Sequence, residues 1–315
     1  MSFEILAKYW IKAKKSLGQN FLVDENILGT IASTLDITWK NVLEIGPWYG
    51  ALTEKILLQK PKSLHLVELD KNMTLILKDR VNNSDFKLQW TDFQIFNEDV
   101  LKFDVKFERT LDTIQGRFPS TREWQIYNKY YLVANIPYYI TSPILQKFLY
   151  NIENKPEKML ILMQKDVGDK ILAGQNTKKL EQIQGRFPSS REWQMIKKQK
   201  NKSSVLSLFI AKKSYVNEVI WVPARSFIPA PKVESSVLLF ETHDNHKEID
   251  DKEFMKFIKI WFQEPRKKLI NNLTKWWFWK ETILEIFENL WFNENIRWED
   301  LSIDEWIELF KKIYV

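Results

Sequence analysis

The stretch from residue 41 to residue 70 restricts the possible folds more than any other part of the chain. It starts with a short apolar run at residues 41–45, which the pair Gly46-Pro47 stops. A helical pattern covers residues 51–58, and a second apolar run, residues 64–70, ends in acids about 20 residues past the glycine. Strand, glycine turn, helix, strand and acid in this order are typical of the opening βαβ unit of a nucleotide-binding domain.

The remaining patterns extend this α/β architecture. A basic segment with Lys12, Lys14 and Lys15 precedes a helix that starts near Asp24. Apolar runs predict further strands at residues 131–136, 159–163 and 205–210, and residues 236–240 are expected to close the sheet as an edge strand. Helical patterns cover residues 142–150, 251–262, 265–273, 281–290 and 303–313. We therefore predict a Rossmann-like α/β domain over residues 1–245 and a small all-helical domain over residues 246–315.

A twelve-residue repeat interrupts this pattern. Residues 114–125 recur as residues 183–194, and the copies differ only at Thr121 and Ser190. Two copies are too few for a solenoid. We interpret them as parts of inserts near residues 108–128 and 181–200. These inserts are either surface loops whose arginine and aromatic side chains touch RNA or neutral duplications.

The composition excludes several kinds of catalytic chemistry and indicates where the protein is located. The chain has no cysteine and three histidines, which excludes disulfides and thiolate nucleophiles and leaves little for a zinc or serine-histidine mechanism. No apolar run reaches the length of a membrane span, and the first residues lack a signal-peptide pattern, so we expect a cytoplasmic protein. A net charge of +6 suits a polyanionic partner.

Two acidic residues are candidates to bind a nucleoside. Glu68 ends the second strand, where its carboxylate could accept hydrogen bonds from both ribose hydroxyls. Asp99 precedes a presumed loop and could accept a hydrogen bond from an adenine amine. The alternatives are a solvated acid at a strand end for Glu68 and a helix or turn cap for Asp99.

The segment from Asn135 to Tyr139 suggests how a base could react. Pro137 fixes its own φ and restricts Ile136, which makes the segment rigid. If the Asn135 side-chain oxygen and the Ile136 carbonyl both accept from an adenine N6, its lone pair can point at an electrophilic methyl group. Tyr138 would then stack on the base. The alternative is a turn with a core tyrosine.

A second stiff loop, residues 227–236, supplies another aromatic ring. It begins with Phe227 and contains the run Pro229-Ala230-Pro231. Phe227 is a candidate to stack on the opposite face of the same base, as enzymes that act on a flipped base require. The loop could equally anchor an edge strand.

Taken together, these motifs resemble the ribosomal RNA adenine dimethyltransferase family. The resemblance rests on residues 16–22 (SLGQNFL), 44–47 (EIGP), 67–70 (VELD), 97–100 (NEDV), 135–143 (NIPYYITSP), 163–166 (MQKD), 227–236 and 297–302. It implies a Rossmann-like, S-adenosylmethionine-dependent methyltransferase that dimethylates N6 of two neighbouring adenosines in 16S RNA of the small ribosomal subunit. It also implies a monomer that releases S-adenosylhomocysteine.

The resemblance also implies roles for single residues. The residues expected to contact S-adenosylmethionine are Asn20, Leu22, Gly46, Glu68, Asp99 and Asn135. Asn135 would also serve the target amine together with Tyr138 and Phe227, and the C-terminal helices would help to grip the ribosome. The alternative from another class is a non-catalytic RNA-binding assembly factor.

Trp48 departs from the family pattern, which has glycine at this place. The chain holds 8 glycines and 14 tryptophans, whereas average usage predicts about 22 glycines. Further tryptophans fall on glycine-like sites, namely Trp10, Trp39, Trp291, Trp298 and the cluster 276–279, while Trp124 and Trp193 stay open. The hypothesis is that UGA specifies glycine in the source organism and is written here as tryptophan. A true Trp48 could block the cofactor site and would favour the assembly-factor alternative.

Overall fold

Helices and strands alternate along the first half of the chain. The computed structural model describes residues 2–88, 90–107, 129–175, 203–262, 267–275, 279–290 and 292–314. The elements up to residue 175 are α1 (Ser2–Lys8), β1 (Phe21–Leu22), α2 (Glu25–Ser33), β2 (Asn41–Ile45), α3 (Ala51–Leu57), β3 (Ser63–Val67), α4 (Lys71–Asn82), β4 (Asp92–Phe96), β5 (Tyr130–Asn135), α5 (Thr141–Gln146), β6 (Lys158–Gln164) and α6 (Lys165–Leu172).

In the second half, one helix comes first, strands follow it, and the remaining elements are helices. They are α7 (Val205–Ala211), β7 (Ser214–Val222), β8 (Phe227–Ile228), β9 (Ser235–Thr242), α8 (Asp251–Trp261), α9 (Leu269–Lys275), α10 (Lys280–Asn289) and α11 (Ile303–Tyr314). A π-helix at Lys147–Asn151 continues α5, and 3₁₀ turns lie at Lys15–Leu17, Tyr138–Ile140, Ala224–Ser226 and Trp298–Asp300. The order of strands and helices fits an α/β fold followed by a helical segment.

Seven strands form one sheet, in the order β4-β3-β2-β5-β6-β9-β7. The pairs from β4 to β6 are parallel, and β9 joins β6 in antiparallel direction. The strand order changes direction between β2 and β5, so their carboxyl ends form the switch point at which open α/β sheets bind ligands. This arrangement confirms the predicted Rossmann-like α/β class.

The central strands form because their apolar runs can be buried on both faces. Every residue of β2 and of β3 is buried, and Val42, Leu64 and Leu132 are fully shielded from solvent. Continuous apolar runs of this kind are typical of parallel strands with helices on both sides. Asp24 caps α2 by accepting from the backbone N–H groups of Asn26 and Ile27. The helix predicted from Asp24 is thus confirmed.

Two strand predictions were wrong. Residues 205–210 form helix α7, since Ser204 and Ser207 make a reciprocal capping box at its start and a short apolar run does not distinguish helix from strand. The strand in this region is β7, whose polar and apolar residues mix. Residues 236–240 do form a strand, but β9 lies between β6 and β7, so β7 is the edge.

The chain divides into two compact units. The first comprises Met1–Gly168 and Asn217–Thr242, and the second comprises Asp169–Val216 and His243–Val315. The sequence analysis drew a single boundary at residue 245, whereas the second unit also takes in residues 169–216. The functional division of the chain at residue 245 stays a prediction.

Aromatic side chains fill the core of the second unit. Phe257 packs edge-on against Trp261, Trp306 and Phe310, with ring centroids 5.2–5.8 Å apart. Helices α8, α10 and α11 confirm three of the predicted helices. The fourth, predicted over residues 265–273, is observed as α9, and residues 263–266 lie outside the described part.

Both copies of the repeat, residues 114–125 and 183–194, lie outside the described residues, so their interpretation stays a prediction. Among the residues that the structure describes, no helix is both long enough and apolar enough to cross a membrane.

Candidate cofactor and adenine site

A cavity of about 250 Å³ lies at the carboxyl ends of β2, β3 and β5. Its wall includes Gly46, Trp48, Glu68, Asp99 and Tyr139. The cavity therefore occupies the switch point of the sheet, which is where a parallel α/β fold places its ligand.

Gly46 lets the chain turn at the end of β2. Its φ is 66°, and its N–H donates to the Val67 carbonyl at 3.0 Å. A Cβ atom at this position would lie 2.6 Å from the carbonyl oxygen of Asn135. Both the left-handed φ and the close approach to β5 require glycine here.

Glu68 is buried at the end of β3, with 3% of its surface exposed. Its Oε1 accepts from the Asp70 N–H at 2.8 Å, and its Oε2 accepts from the Trp48 N–H at 3.2 Å. Burial raises the pKa of Glu68 to about 7. The alternative interpretation as a solvated acid is wrong, because backbone donors fix this carboxyl group inside the protein.

A second buried carboxyl group lies in the same region. Glu44, in β2, is fully buried, and burial raises its pKa to about 8, with a further contribution from the nearby Glu68. The sequence analysis did not single out Glu44 as a titrating group, because its position in an apolar strand gave no signal of that role.

Asp99 lines the cavity and also caps a turn. Its Oδ1 accepts from the Leu101 N–H at 2.9 Å, so the turn-cap interpretation holds for one oxygen. Nearby, the Asn97 amide donates to the Glu68 carbonyl at 2.9 Å and to the Leu69 carbonyl at 3.1 Å. These bonds tie the loop after β4 to the end of β3.

Asn135 is the last residue of β5 and is 7% exposed. Its carbonyl oxygen accepts a hydrogen bond from the Trp48 indole Nε1 at 2.7 Å. The following Pro137 carbonyl accepts from the Ile140 N–H at 3.2 Å, which closes the turn. Ile136, Pro137 and Tyr139 of this rigid segment line the cavity, whereas Asn135 itself does not.

The two tyrosines after Pro137 have different surroundings. Tyr138 is half-buried, packs against the core and shares a hydrogen bond of 2.8 Å with the Ser235 hydroxyl. Tyr139 is 62% exposed and lines the cavity. The sequence analysis chose Tyr138 for stacking and did not consider Tyr139, since two adjacent tyrosines cannot be ranked without the geometry of the turn.

Three further candidates are not part of the cavity lining. Leu22 in β1 pairs with Phe227 in β8, and both side chains are buried in the core. The Asn20 amide donates to the Gly18 carbonyl at 3.3 Å. Of these three described residues, none lines the cavity.

The basic segment before β1 is bound to the end of β3. Asp70 is 4% exposed and accepts from Lys14 Nζ at 2.7 Å and from Gln19 Nε2 at 2.9 Å. Burial acts to raise the pKa of Asp70, but these two hydrogen bonds, together with the Asn72 N–H and the positive charge of Lys14, outweigh it and lower the pKa. The sequence indicates only a basic segment at Lys14, and nothing in its pattern indicates this partner.

Arg80 supports the turn that follows Gly46. It is 2% exposed, donates to the Tyr49 carbonyl at 2.7 Å and forms an ion pair with Glu54 at 3.0 Å. Its guanidinium also lies 4.3 Å from the Phe86 ring centroid. The backbone on one side of the cavity is therefore held by a buried cation.

The family profile described as Ribosomal RNA adenine dimethylase matches residues 11–314. The chain belongs to this family. The match spans both compact units, so the adenine dimethylase family accounts for nearly the whole chain.

Curated relatives match this chain over nearly their whole length. The protein named Ribosomal RNA small subunit methyltransferase A of Mycoplasma mobile is 33% identical over 95% of this chain and 98% of its own length. The protein of the same name from Pelagibacter ubique is 31% identical over 96% of this chain and 97% of its own. These relatives support membership in the adenine dimethylase family over the full chain.

Solved structures show the same fold. The 23S rRNA methyltransferase ErmE has a TM-score of 0.65 at 17% identity and covers 94% of this chain and 100% of its own. A dimethyladenosine transferase from Plasmodium falciparum has a TM-score of 0.66 at 21% identity and covers 93% and 97%. The fold of this adenine dimethylase family member is thus that of a Rossmann-like methyltransferase.

Proposed function

We propose that the protein transfers methyl groups from S-adenosylmethionine to N6 of two neighbouring adenosines in small-subunit (16S) ribosomal RNA. The observation that carries the proposal is the family match over residues 11–314, combined with a cavity at the switch point that holds the buried Glu68. Three further points stay predictions. They are that the protein is a monomer, that it lies in the cytoplasm, and that the helices after residue 246 hold the ribosome.

One end of the cavity fits the nucleoside part of the cofactor. Glu68 has four acceptor positions on its two oxygens and uses two of them for backbone N–H groups, which leaves capacity for ribose hydroxyls. Asp99 has an oxygen beyond the one that caps the turn, and this oxygen suits an adenine amine. We assign Glu68, Asp99 and Gly46 to cofactor binding, with Asn20 and Leu22 as supports of the neighbouring segment.

The other end of the cavity would hold the target base. S-adenosylmethionine supplies an electrophilic methyl group when bound. We assign to Asn135 the role of accepting a hydrogen bond from the target amine through its side-chain oxygen, with the Ile136 carbonyl as the second acceptor. Pro137 keeps both acceptors in place. The exposed Tyr139 joins the half-buried Tyr138 as a ring to stack on the base, whereas Phe227, the other predicted stacking ring, is buried in the core.

A second function is favoured by one observation. Trp48 lines the cavity, and its indole donates to the Asn135 carbonyl, so this residue leaves less room beside the cofactor site than glycine would. A non-catalytic RNA-binding assembly factor would need the fold and the net charge of +6 but not the cofactor.

Methylation of pre-assembled, unmethylated small subunits tests the proposal. Nuclease digestion and mass spectrometry count dimethyladenosine, and the Trp48→Gly form serves as the parent. In that parent we expect Asn135→Ala to lower the rate about 100-fold or more, because it removes one preorganised polar group from the reacting centre. Asn82→Ala, on the exposed end of α4, is the matched control and should leave the rate unchanged.

Two outcomes would contradict these assignments. Near-parental turnover of Asn135→Ala would eliminate the role of this residue. RNA binding without any methyl transfer, in both the Trp48 and the Trp48→Gly forms, would support the assembly factor instead.

A further inference from the structure

Three tryptophans have a backbone conformation that is rare for large residues. Six non-glycine residues of the described chain have a left-handed φ, and three of them are Trp10, Trp39 and Trp48, at 49°, 57° and 55°. Tryptophan accounts for only 14 of 315 residues. A positive φ is disfavoured for any residue with a Cβ, and for a bulky one it marks a genuine outlier.

Trp10 ends helix α1 in the position that glycine prefers. The Trp10 N–H donates to the Ala7 carbonyl at 3.2 Å, and the Ile11 N–H donates to the Leu6 carbonyl at 3.0 Å. This pair of bonds defines a Schellman motif, whose left-handed residue is most often glycine. The side chain of Trp10 is 86% exposed, so no packing explains the tryptophan.

Trp39 occupies the third position of a tight turn before β2. The Lys40 N–H donates to the Ile37 carbonyl at 3.0 Å, and Trp39 has the positive φ. A positive φ at the third residue is the mark of a type II turn, which requires glycine or asparagine there. Trp39 is 66% exposed, and again no burial offsets the strain.

Trp48 occupies the second position of the turn that closes the cofactor site. The Gly50 N–H donates to the Pro47 carbonyl at 2.8 Å, and Trp48 has the positive φ. A positive φ at the second residue alone is typical of a type II′ turn, in which glycine is preferred at that position. Trp48 differs from the other two because its side chain is only 6% exposed.

Other tryptophans of the same chain lie in ordinary conformations. Trp221 lies in β7, and Trp261 and Trp306 are core residues of α8 and α11. Trp298, which the sequence analysis included among glycine-like sites, is buried in a 3₁₀ turn without a left-handed φ. The tryptophans at 124, 193, 276, 277 and 291 lie outside the described residues. Trp90 is not among the residues with a left-handed φ, and Trp279, from the cluster 276–279 expected to be glycine-like, has a φ of −62°. Among the described tryptophans, the left-handed group therefore comprises positions 10, 39 and 48.

The indole of Trp48 takes up space at the switch point. It donates to the Asn135 carbonyl at 2.7 Å and packs edge-on against Phe21 with centroids 5.6 Å apart. The remaining cavity of about 250 Å³ is smaller than the roughly 300–1,000 Å³ of ordinary ligand pockets. Glycine at 48 would keep the backbone N–H that Glu68 accepts and would remove the whole indole.

We propose that Trp10, Trp39 and Trp48 stand where the natural protein has glycine, and that the indole of Trp48 closes the part of the cofactor site between β2 and β5. The second half of this statement rests on the proposed function. A single cause, UGA codons that specify glycine, accounts for all three positions and would raise the glycine content from the 8 residues of this sequence. The chain with glycine at 48 is then the active form.

Calorimetric titration with S-adenosylhomocysteine tests the closure of the site. Trp48→Gly should bind at least about tenfold more tightly than the parent, which corresponds to about 1.4 kcal/mol. Trp48→Ala separates the two effects of the residue: it removes the indole but keeps a Cβ at positive φ. It should bind nearly as well as Trp48→Gly and unfold at a lower temperature than that variant.

Trp39→Gly is the matched control, because it removes an exposed left-handed tryptophan at the opposite end of β2. It should raise the unfolding temperature and leave the affinity for S-adenosylhomocysteine unchanged. Equal affinities of Trp48→Gly and the parent would overturn the closure while leaving the proposed function intact. Absence of binding in both forms would overturn the proposed function and, with it, the closure.

The identity of the three residues has its own test. Peptide masses of the protein isolated from its source cells, together with the coding DNA, report positions 10, 39 and 48 directly. We expect glycine masses and UGA codons at all three. Tryptophan masses, or UGG codons, would overturn the inference whatever the titrations give.

Discussion

Replacement of Gly46 by alanine should destabilise the first unit and displace the segment that carries Asn135. The left-handed φ of 66° costs a residue with a Cβ about 1–2 kcal/mol. The new Cβ would also lie 2.6 Å from the Asn135 carbonyl oxygen, and moving this backbone costs about 1–3 kcal/mol. Reduced freedom of the unfolded chain returns about 0.4–1 kcal/mol. We therefore expect Gly46→Ala to lower the free energy of unfolding by about 1–5 kcal/mol.

Hydrogen exchange of peptides from β2 and β5, followed by mass spectrometry at increasing urea, measures this change within the first unit. Gly29→Ala is the matched control: Gly29 lies in the interior of α2, and no atom lies within 4 Å of a Cβ placed there. Alanine at this helical site should raise the stability by about 0.5–1 kcal/mol. A Gly46→Ala protein within about 0.5 kcal/mol of the parent would refute the reasoning, since surface substitutions commonly stay in that range.

Three further predictions concern charged groups. Arg80→Met should lower the free energy of unfolding by about 2–4 kcal/mol in urea titrations, because it leaves the carboxyl and carbonyl partners of the buried guanidinium unpaired. The raised pKa of Glu44, about 8, means that its protonated form stabilises the fold at low pH and that this stabilisation is lost as the pH rises towards 8. The unfolding temperature should therefore fall from about pH 5 to about pH 8, and Glu44→Gln should flatten that decline; an unchanged slope would contradict the assignment. Replacing Lys12 and Lys15 by alanine should weaken RNA binding and reduce the salt slope by about 0.7–0.9 for each lost phosphate contact, whereas Lys14→Ala should lower stability through loss of its ion pair with a buried acid.

The order of elements could be predicted because it depends on local patterns. The run of residues 41–45, the glycine after it and the cap at Asp24 each determine one element through short-range physics. Helix α7 was missed because a run of seven mostly apolar residues is compatible with a buried strand or a buried helix. The position of β9 inside the sheet depends on pairing with a distant strand, which no local pattern contains.

The site was predictable to the same extent. Gly46, Glu68 and Asp99 follow strands in the sequence, and the carboxyl ends of neighbouring parallel strands meet at one edge, so the structure brings these three to one cavity. The choice between Tyr138 and Tyr139 depends on which way a turn points, and Phe227 is buried by pairing with Leu22. Such details arise from contacts between segments about 200 residues apart in the chain and could not be read from either segment alone.

Strained backbone residues usually indicate function, because natural chains keep unfavourable conformations mainly where an active site gains from them. Function could explain a strained residue at Trp48, which lines the cavity, but it cannot explain the other two. Trp10 ends an N-terminal helix and is exposed to solvent, and Trp39 precedes β2, at the end of the strand opposite the site. A single strained tryptophan at a site can be explained by function. Three strained tryptophans in unrelated turns, each at the position that favours glycine, need an explanation that applies to tryptophan as a residue type. A change in the meaning of a codon acts in this way, and it predicts that all three positions change together.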